Sequence, residues 1–278
     1  MAEISAAVVK ALRDKTNLPL MDVKRALTEA GGDEAKAIEI LKESFKKLAI
    51  KRAENATSEG LVRVLVNAEG TRGVMVELQC ESAPVAKAED FMFLADQCAK
   101  QLLNGPGADS PDALLAQNAP DRAGSTLKTV LEEVFNKIRE KIVLARVIRV
   151  EGNVGGYAHH DGKTGVLVVV EGAKTGEAVV KDVAMHVAAL RPAVTLPEEL
   201  SADDVAKERA RLTAEASASG KPANIIEKMV DGKMKVFYAE QGVLAFQAFA
   251  KDDSKTVSQA LAECGLKPVK FIRWVLGN

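Results

Sequence analysis

Asp161-Gly162-Lys163-Thr164 comes nearest to a chemical signature in this chain, because a Gly-Lys-Thr run closes the phosphate-binding loop of many nucleotide hydrolases. Such a loop wraps phosphates in backbone N–H groups and needs a glycine five residues before Gly162. That place is held by Tyr157, and Gly156 lies one residue too far away. A helix must also follow the loop, whereas residues 166–170 are an unbroken apolar run of strand type. The spacing therefore predicts a hairpin turn. The histidines are His159, His160 and His186, with no carboxylate or cysteine at metal-ligand spacing. His186 interrupts an apolar helix, where a hydrogen-bonded, partly buried histidine is the plain expectation. Cys80, Cys98 and Cys264 are odd in number and widely spaced, so neither a disulfide framework nor a zinc site is expected. No serine or cysteine sits in a Gly-x-Ser-x-Gly elbow. The residues give no reason to expect a bond-making enzyme, a resident metal or a cofactor.

Composition narrows the partners. At 278 residues the chain is long enough for two or three domains, and its 47% hydrophobic and 28% charged content is an ordinary globular mixture. Lys plus Arg number 38 against 39 Asp plus Glu, so there is no basic excess to neutralise a nucleic-acid backbone. The clusters Lys46-Lys47 and Lys51-Arg52 fall late in a helix, where cations suit the macrodipole. Aromatics at 4% are too sparse for base stacking. No apolar run approaches the ~18 residues that span a membrane. The opening Met1-Ala2-Glu3-Ile4 begins with an acid and lacks a signal-peptide pattern, so a cytoplasmic location is expected, without direct nucleotide, nucleic-acid or membrane binding.

The elements that must position any site read as follows. Residues 3–54 form three helical runs. Ile4, Val8, Ala11 and Leu12 share one face of the first. Pro19 opens the second, which stops at Gly31-Gly32. Asp33 can cap the third, whose stripe runs through Ala37, Ile38, Leu41, Phe45 and Leu48. The polar Asn55-Ala56-Thr57-Ser58 reads as a linker. Residues 60–68 and 73–80 then alternate with period two around a Glu69-Gly70 hairpin signal. Phe91, Leu94, Ala95, Cys98 and Leu102 have helical spacing, residues 104–111 read as loop, and residues 126–141 as another helix.

The same grammar returns in strands at 147–150, 154–160 and 166–170, followed by a helix over 178–190. Strand, turn, strand, helix thus occurs twice, which predicts an α+β chain with a broad two-lobed surface. Residues 200–217 and 223–235 are charged helices joined by Ser219-Gly220-Lys221-Pro222. Leu200, Val205, Leu212, Ile225, Ile226, Met229 and Val230 supply one seam, enough for a thin antiparallel hairpin of the kind that serves as an arm for a partner. The strand pattern is expected to resume at 236–249 and to close at 270–276.

One loop carries more apolar surface than a turn requires. Leu18-Pro19-Leu20-Met21 leads straight into a helix that begins at Asp22 and continues through Val23, Lys24, Arg25, Ala26 and Leu27. Apolar side chains at such a junction form a docking surface; the plainer alternative is that Leu18 and Leu20 staple a small core. With this loop included, the segments resemble the bacterial elongation factor Ts family, the nucleotide exchange factors of elongation factor Tu. MAEISAAVVKALRDKTNLPLMDVKRALTEAGGD, residues 1–33, is similar to that family's N-terminal signature. Val183-Ala184-Met185-His186-Val187-Ala188-Ala189 with Pro192 is similar to a second. Ser219-Gly220-Lys221-Pro222 together with residues 226–234 is similar to a third. Ser254-Lys255-Thr256-Val257 and Phe271-Ile272-Arg273 follow in the family's order.

The resemblance implies an architecture and a job. Residues 1–54 would be a ubiquitin-associated-like three-helix domain. Residues 55–143 and 144–278 would be two related α+β subdomains, the second carrying a coiled-coil hairpin insertion at about 197–235. Leu20, Met21 and Asp22 would touch the nucleotide domain of elongation factor Tu, and the region of His186 another of its domains. The motif that dislocates the partner's magnesium would be Ser82-Ala83-Pro84-Val85. The family's usual motif there is Thr-Asp-Phe-Val, so Ala83 replaces its acid and Pro84 its aromatic. Alanine offers no charge, and proline cannot wedge as phenylalanine does. The loop is therefore expected to crowd the magnesium region sterically. With its last residues soon after Phe271-Ile272-Arg273, the chain is expected to lack the further C-terminal module that some members carry. The implied function is promotion of GDP release from elongation factor Tu; the alternative is a chaperone-like holder that binds without accelerating release.

Overall fold

Helices and small antiparallel sheets alternate along the computed structural model, which describes residues 4–16, 18–173 and 175–278. Residues 1–3 of the opening and Asn17 of the apolar loop lie outside the described residues, as does Lys174. The class is mixed α+β. Contacts divide the chain into two compact units. One runs up to Leu61 and includes Val76–Val147 and Leu276–Asn278; the other comprises Val62–Met75 and Ile148–Val275.

In the first unit, helices α1 (Ala6–Thr16), α2 (Leu20–Glu29) and α3 (Glu34–Arg52) close on Val9, Leu12, Val23, Leu27, Leu41 and Phe45. Pro19 precedes α2 with φ −57°, a value preset for helix entry, and the Asp33 carboxylate caps α3 by accepting from the Lys36 N–H at 3.1 Å. The face of α1 differs from the expected one: Val9 and Leu12 are buried, while Val8 and Ala11 are exposed. Spacing allowed either stripe, and packing against α2 selected the one through Val9.

Strands β1 (Glu59–Val66) and β2 (Arg72–Cys80) form a three-stranded sheet with a later strand, in the order β1-β2-β3. A short α4 (Ala83–Ala86) and the long α5 (Glu89–Asn104) follow, then α6 (Pro111–Leu115) and α7 (Leu127–Ile138). Phe91, Leu94, Cys98 and Leu102 of α5 are fully buried, as their spacing predicts. Thr126 caps α7 through the Thr129 N–H, but the helix ends at Ile138, because Arg139 adopts a left-handed conformation. β3 (Ile142–Glu151) begins five residues before the expected start, its inward residues Ile142 and Leu144 being buried.

In the second unit, β4 (Asn153–Ala158) and β5 (Thr164–Gly172) pair antiparallel, and β8 (Leu266–Val275) lies on the far side of β5. β5 is buried on both faces. Val166, Val168 and Val170 meet α8 (Ala178–Leu190), while Leu167 and Val169 pack with Val62, Met75 and Val154. A strand covered on both sides needs a continuous apolar run, which explains residues 166–170. Helix α8 lies so close to β4 that a Cβ at Gly155 would sit 2.6 Å from the Val180 carbonyl carbon. Pro268 is tolerated in β8 because that strand is at the sheet edge.

Helices α9 (Ala202–Ser217) and α10 (Ala223–Glu240) pack antiparallel on Leu212, Ala216, Val230 and Met234. The expected strand at 236–249 is overturned: α10 runs to Glu240, and Phe237 and Tyr238 join the hairpin core. Only β6 (Ala248–Phe249) is strand, paired with β7 (Asp252–Thr256) ahead of α11 (Val257–Ala262). Val236, Phe237 and Tyr238 favour a strand by type, yet the helix continues and packs Phe237 and Tyr238 against the core shared with α9.

Candidate functional site

The entry to α2 separates its apolar residues cleanly. Leu18 packs into the three-helix core, whereas Leu20 is 50% and Met21 70% exposed on the first helical turn. Of the two leucines that the plainer expectation gave to the core, Leu18 packs there and Leu20 does not. Asp22 turns the other way. It is only 7% exposed and is ion-paired to Arg25 at 3.1 Å and to Arg139 at the end of α7. Asp22 is therefore a fixed point beneath the exposed pair, and its carboxylate is not offered outward.

Ser82-Ala83-Pro84-Val85 follows β2 directly. Ala83 and Pro84 are exposed on the first turn of α4, where proline's missing N–H goes unneeded. The Ser82 hydroxyl and N–H both donate to Glu140, at 2.7 and 3.1 Å. Glu81, one residue earlier, accepts from Arg52 at 2.7 Å, the Asn55 side chain at 2.8 Å and the Lys141 N–H at 2.5 Å. Desolvation pushes the Glu81 carboxyl upward, but these donors outweigh it and hold the group below its ordinary value. Lys141 Nζ also donates to the Ala53 and Asn55 carbonyls, at 2.5 and 3.0 Å. The expected linker at 55–58 is thus pinned at its start. Arg139, Glu140 and Lys141 lie in the stretch expected as the last turn of a helix, and nothing local in the sequence marks their distant partners.

His186 is buried, at 1% exposure, and both ring nitrogens are satisfied. Nδ1 accepts the Ala250 N–H at 3.1 Å, so Nε2 carries the proton and faces Gln247 Oε1 at 3.0 Å. The ring pins the segment carrying β6 to α8, while its neighbour Met185 is 44% exposed. Burial lowers the affinity of His186 for a second proton, more than the Gln247 bond raises it. The folded pKa therefore lies below the unfolded 6.5. Stability from this group is complete above pH 6.5 and is lost as pH falls from 6.5 toward the folded value, because the unfolded chain binds the proton first. Urea unfolding at pH 7.5 and 5.5 checks this: the wild type is expected to lose more stability on acidification than His186→Gln, and equal losses would contradict it.

Asp161-Gly162-Lys163-Thr164 is the turn between β4 and β5, with Gly162 at φ 71° and the Lys163 N–H on Asp161 Oδ1 at 2.8 Å. Strand β4 precedes it and strand β5 follows it, in place of the helix that a phosphate-binding loop leads into. Burial pushes the Cys80 thiol up to about 11 and the Cys98 thiol up to about 12, the opposite of what a reactive thiolate needs. Among the described residues no group of three or more His, Cys, Asp or Glu could hold a metal ion, and no helix is long and apolar enough to cross a membrane. The Leu20-Met21 pair and the Ala83-Pro84 turn are both exposed on one compact unit. The exposed Met185 on α8 belongs to the other. Such surfaces suit protein binding.

Comparison with known proteins agrees in kind. The family described as Elongation factor TS matches residues 84–278. The Elongation factor Ts of Bordetella petrii is 40% identical over 279 residues, covering all of this chain and 93% of that protein. That of Deinococcus deserti is 42% identical over 270 residues, covering 97% of this chain and 98% of its own length. That of Paenarthrobacter aurescens is 42% identical over 287 residues, with both chains covered in full.

Proposed function

Because this chain belongs to the elongation factor Ts family, we propose that its exposed surfaces act together on elongation factor Tu. The chain is a guanine nucleotide exchange factor that promotes GDP release from elongation factor Tu during translation elongation. Similarity along the whole chain carries that conclusion, and it disfavours a holder that binds without accelerating release. An exchange factor works by binding the nucleotide-free partner more tightly than the nucleotide-bound one. A release faster by ~10⁴ corresponds to roughly 5.4 kcal/mol of preferential stabilisation, more than one loop need supply.

In the reading offered here, Leu20 and Met21 dock on the nucleotide domain of elongation factor Tu, and Asp22 holds their helix in place. Ala83 and Pro84 crowd the partner's magnesium region by shape, flanked by Ser82 and Val85. His186 shapes the second-unit contact through the α8 surface that carries Met185, without touching the partner itself. Residues 1–54 serve as a ubiquitin-associated-like domain, supported by the common core of α1 to α3. Residues 55–143 and 144–278 serve as the two related subdomains, supported by the recurring strand-strand-helix order. The helices packed on Leu212 and Met234 act as the coiled-coil arm, and the site of action is the cytoplasm. This work breaks no covalent bond and calls for no cofactor or metal on the chain.

Linkage supplies the test. Affinity for nucleotide-free elongation factor Tu is expected to exceed affinity for the GDP-bound form by orders of magnitude, and added GDP should dissociate the complex. Equal affinities in calorimetric titrations would leave only a holder.

A further inference from the structure

Arg139, Glu140 and Lys141 are consecutive, yet each is bound to a different part of the same compact unit. The Arg139 guanidinium pairs with Asp22 on α2. Glu140 receives the Ser82 hydroxyl at 2.7 Å and the Ser82 N–H at 3.1 Å. Lys141 spans the Ala53 and Asn55 carbonyls with its ammonium and fixes Glu81 with its own N–H. The divergence has a local cause. Arg139 lies in the left-handed region, at φ 66° and ψ 25°, so the chain turns sharply from α7 into β3 and successive side chains fan out. That conformation is unfavourable for residues other than glycine. Here it is kept with an arginine whose guanidinium neutralises a buried carboxylate.

We propose that residues 139–141 form a positioning bracket that fixes the exposed Leu20-Met21 pair relative to the exposed Ala83-Pro84 turn, so that one partner meets both at a preset spacing. The proposal rests on the reading that these two surfaces engage elongation factor Tu. The bracket touches no partner; it acts through Asp22, Glu81 and Ser82. Presetting matters because freedom surrendered on binding is subtracted from the energy left to favour the nucleotide-free state. Without the bracket the Leu20-Met21 surface still docks, but the loop beyond Ser82 no longer arrives in register.

Arg139→Gly and Glu140→Ala, made singly in the full chain, test this. Glycine suits the left-handed position, and thermal unfolding checks that each variant folds. GDP release is followed across factor concentration, to separate the maximal rate from the half-saturating concentration. Each variant is expected to lower the maximal rate by about tenfold even at saturation, and Arg139→Lys to restore most of it. A variant that merely loses folded molecules shifts the half-saturating concentration and still reaches the wild-type maximum. That outcome, or an unchanged profile, overturns the bracket if the wild type accelerates release and Leu20→Ala with Met21→Ala slows it. No acceleration by the wild type, or none lost in that double variant, overturns the reading of the surfaces and the bracket with it.

Discussion

Leu20→Ala combined with Met21→Ala is expected to slow GDP release from elongation factor Tu more than any change confined to the Ser82 loop. Exposed apolar anchors at the centre of an interface are worth about 2 kcal/mol or more together, roughly thirtyfold in the second-order rate of exchange. Both side chains already face solvent, so truncating them removes little of the fold's own burial, and unfolding should be nearly unchanged. Ser82→Ala is expected to have the smaller effect, because the Ser82 N–H can still donate to Glu140. Asp22→Ala is a different experiment: it leaves Arg139 without its partner and so probes the bracket together with the surface. Parallel exchange assays on the double variant and on Ser82→Ala give the ranking, and its reversal would place the main contact on the loop instead.

The second large effect is on stability. Glu77 is 1% exposed between neighbouring strands, where Arg146 pairs with it, the Gln79 side chain donates at 2.6 Å and the Gly277 N–H at 3.2 Å. Arg146→Met would leave a buried carboxylate without its counter-charge, and losses of about 3–5 kcal/mol accompany such changes. Arg146→Met combined with Glu77→Gln should recover most of that loss, since the uncompensated charge is then gone. Urea unfolding of the three proteins checks the cycle. A single variant that loses less than about 1 kcal/mol would show that Glu77 finds water or another donor.

Local grammar was legible where local physics decides. Asp33 caps α3, residues 166–170 form a doubly buried strand, and Gly162 makes a hairpin turn rather than a phosphate cradle. It failed where tertiary packing overrides propensity. The run through Val236, Phe237 and Tyr238 has strand composition but continues α10, with Phe237 and Tyr238 packed partly buried against the core shared with α9 and Val236 left exposed. Val8 and Val9 were equally good stripe residues, and only the neighbouring helix could choose. At the candidate site, spacing and resemblance led to Leu20, Met21 and the Ser82 loop. They did not reveal that Asp22 and His186 turn inward. Nor did they reveal Arg139, Glu140 and Lys141, whose partners are far away in sequence and leave no periodic trace.

The most direct test of the whole account is the rate at which fluorescent GDP leaves cognate elongation factor Tu, with and without this chain. Acceleration by orders of magnitude, saturating with factor concentration, is the predicted result and would show that a chain with Ala83-Pro84 on this turn exchanges nucleotide. Stable complex formation with an unchanged release rate would contradict it and leave the chain a holder of elongation factor Tu.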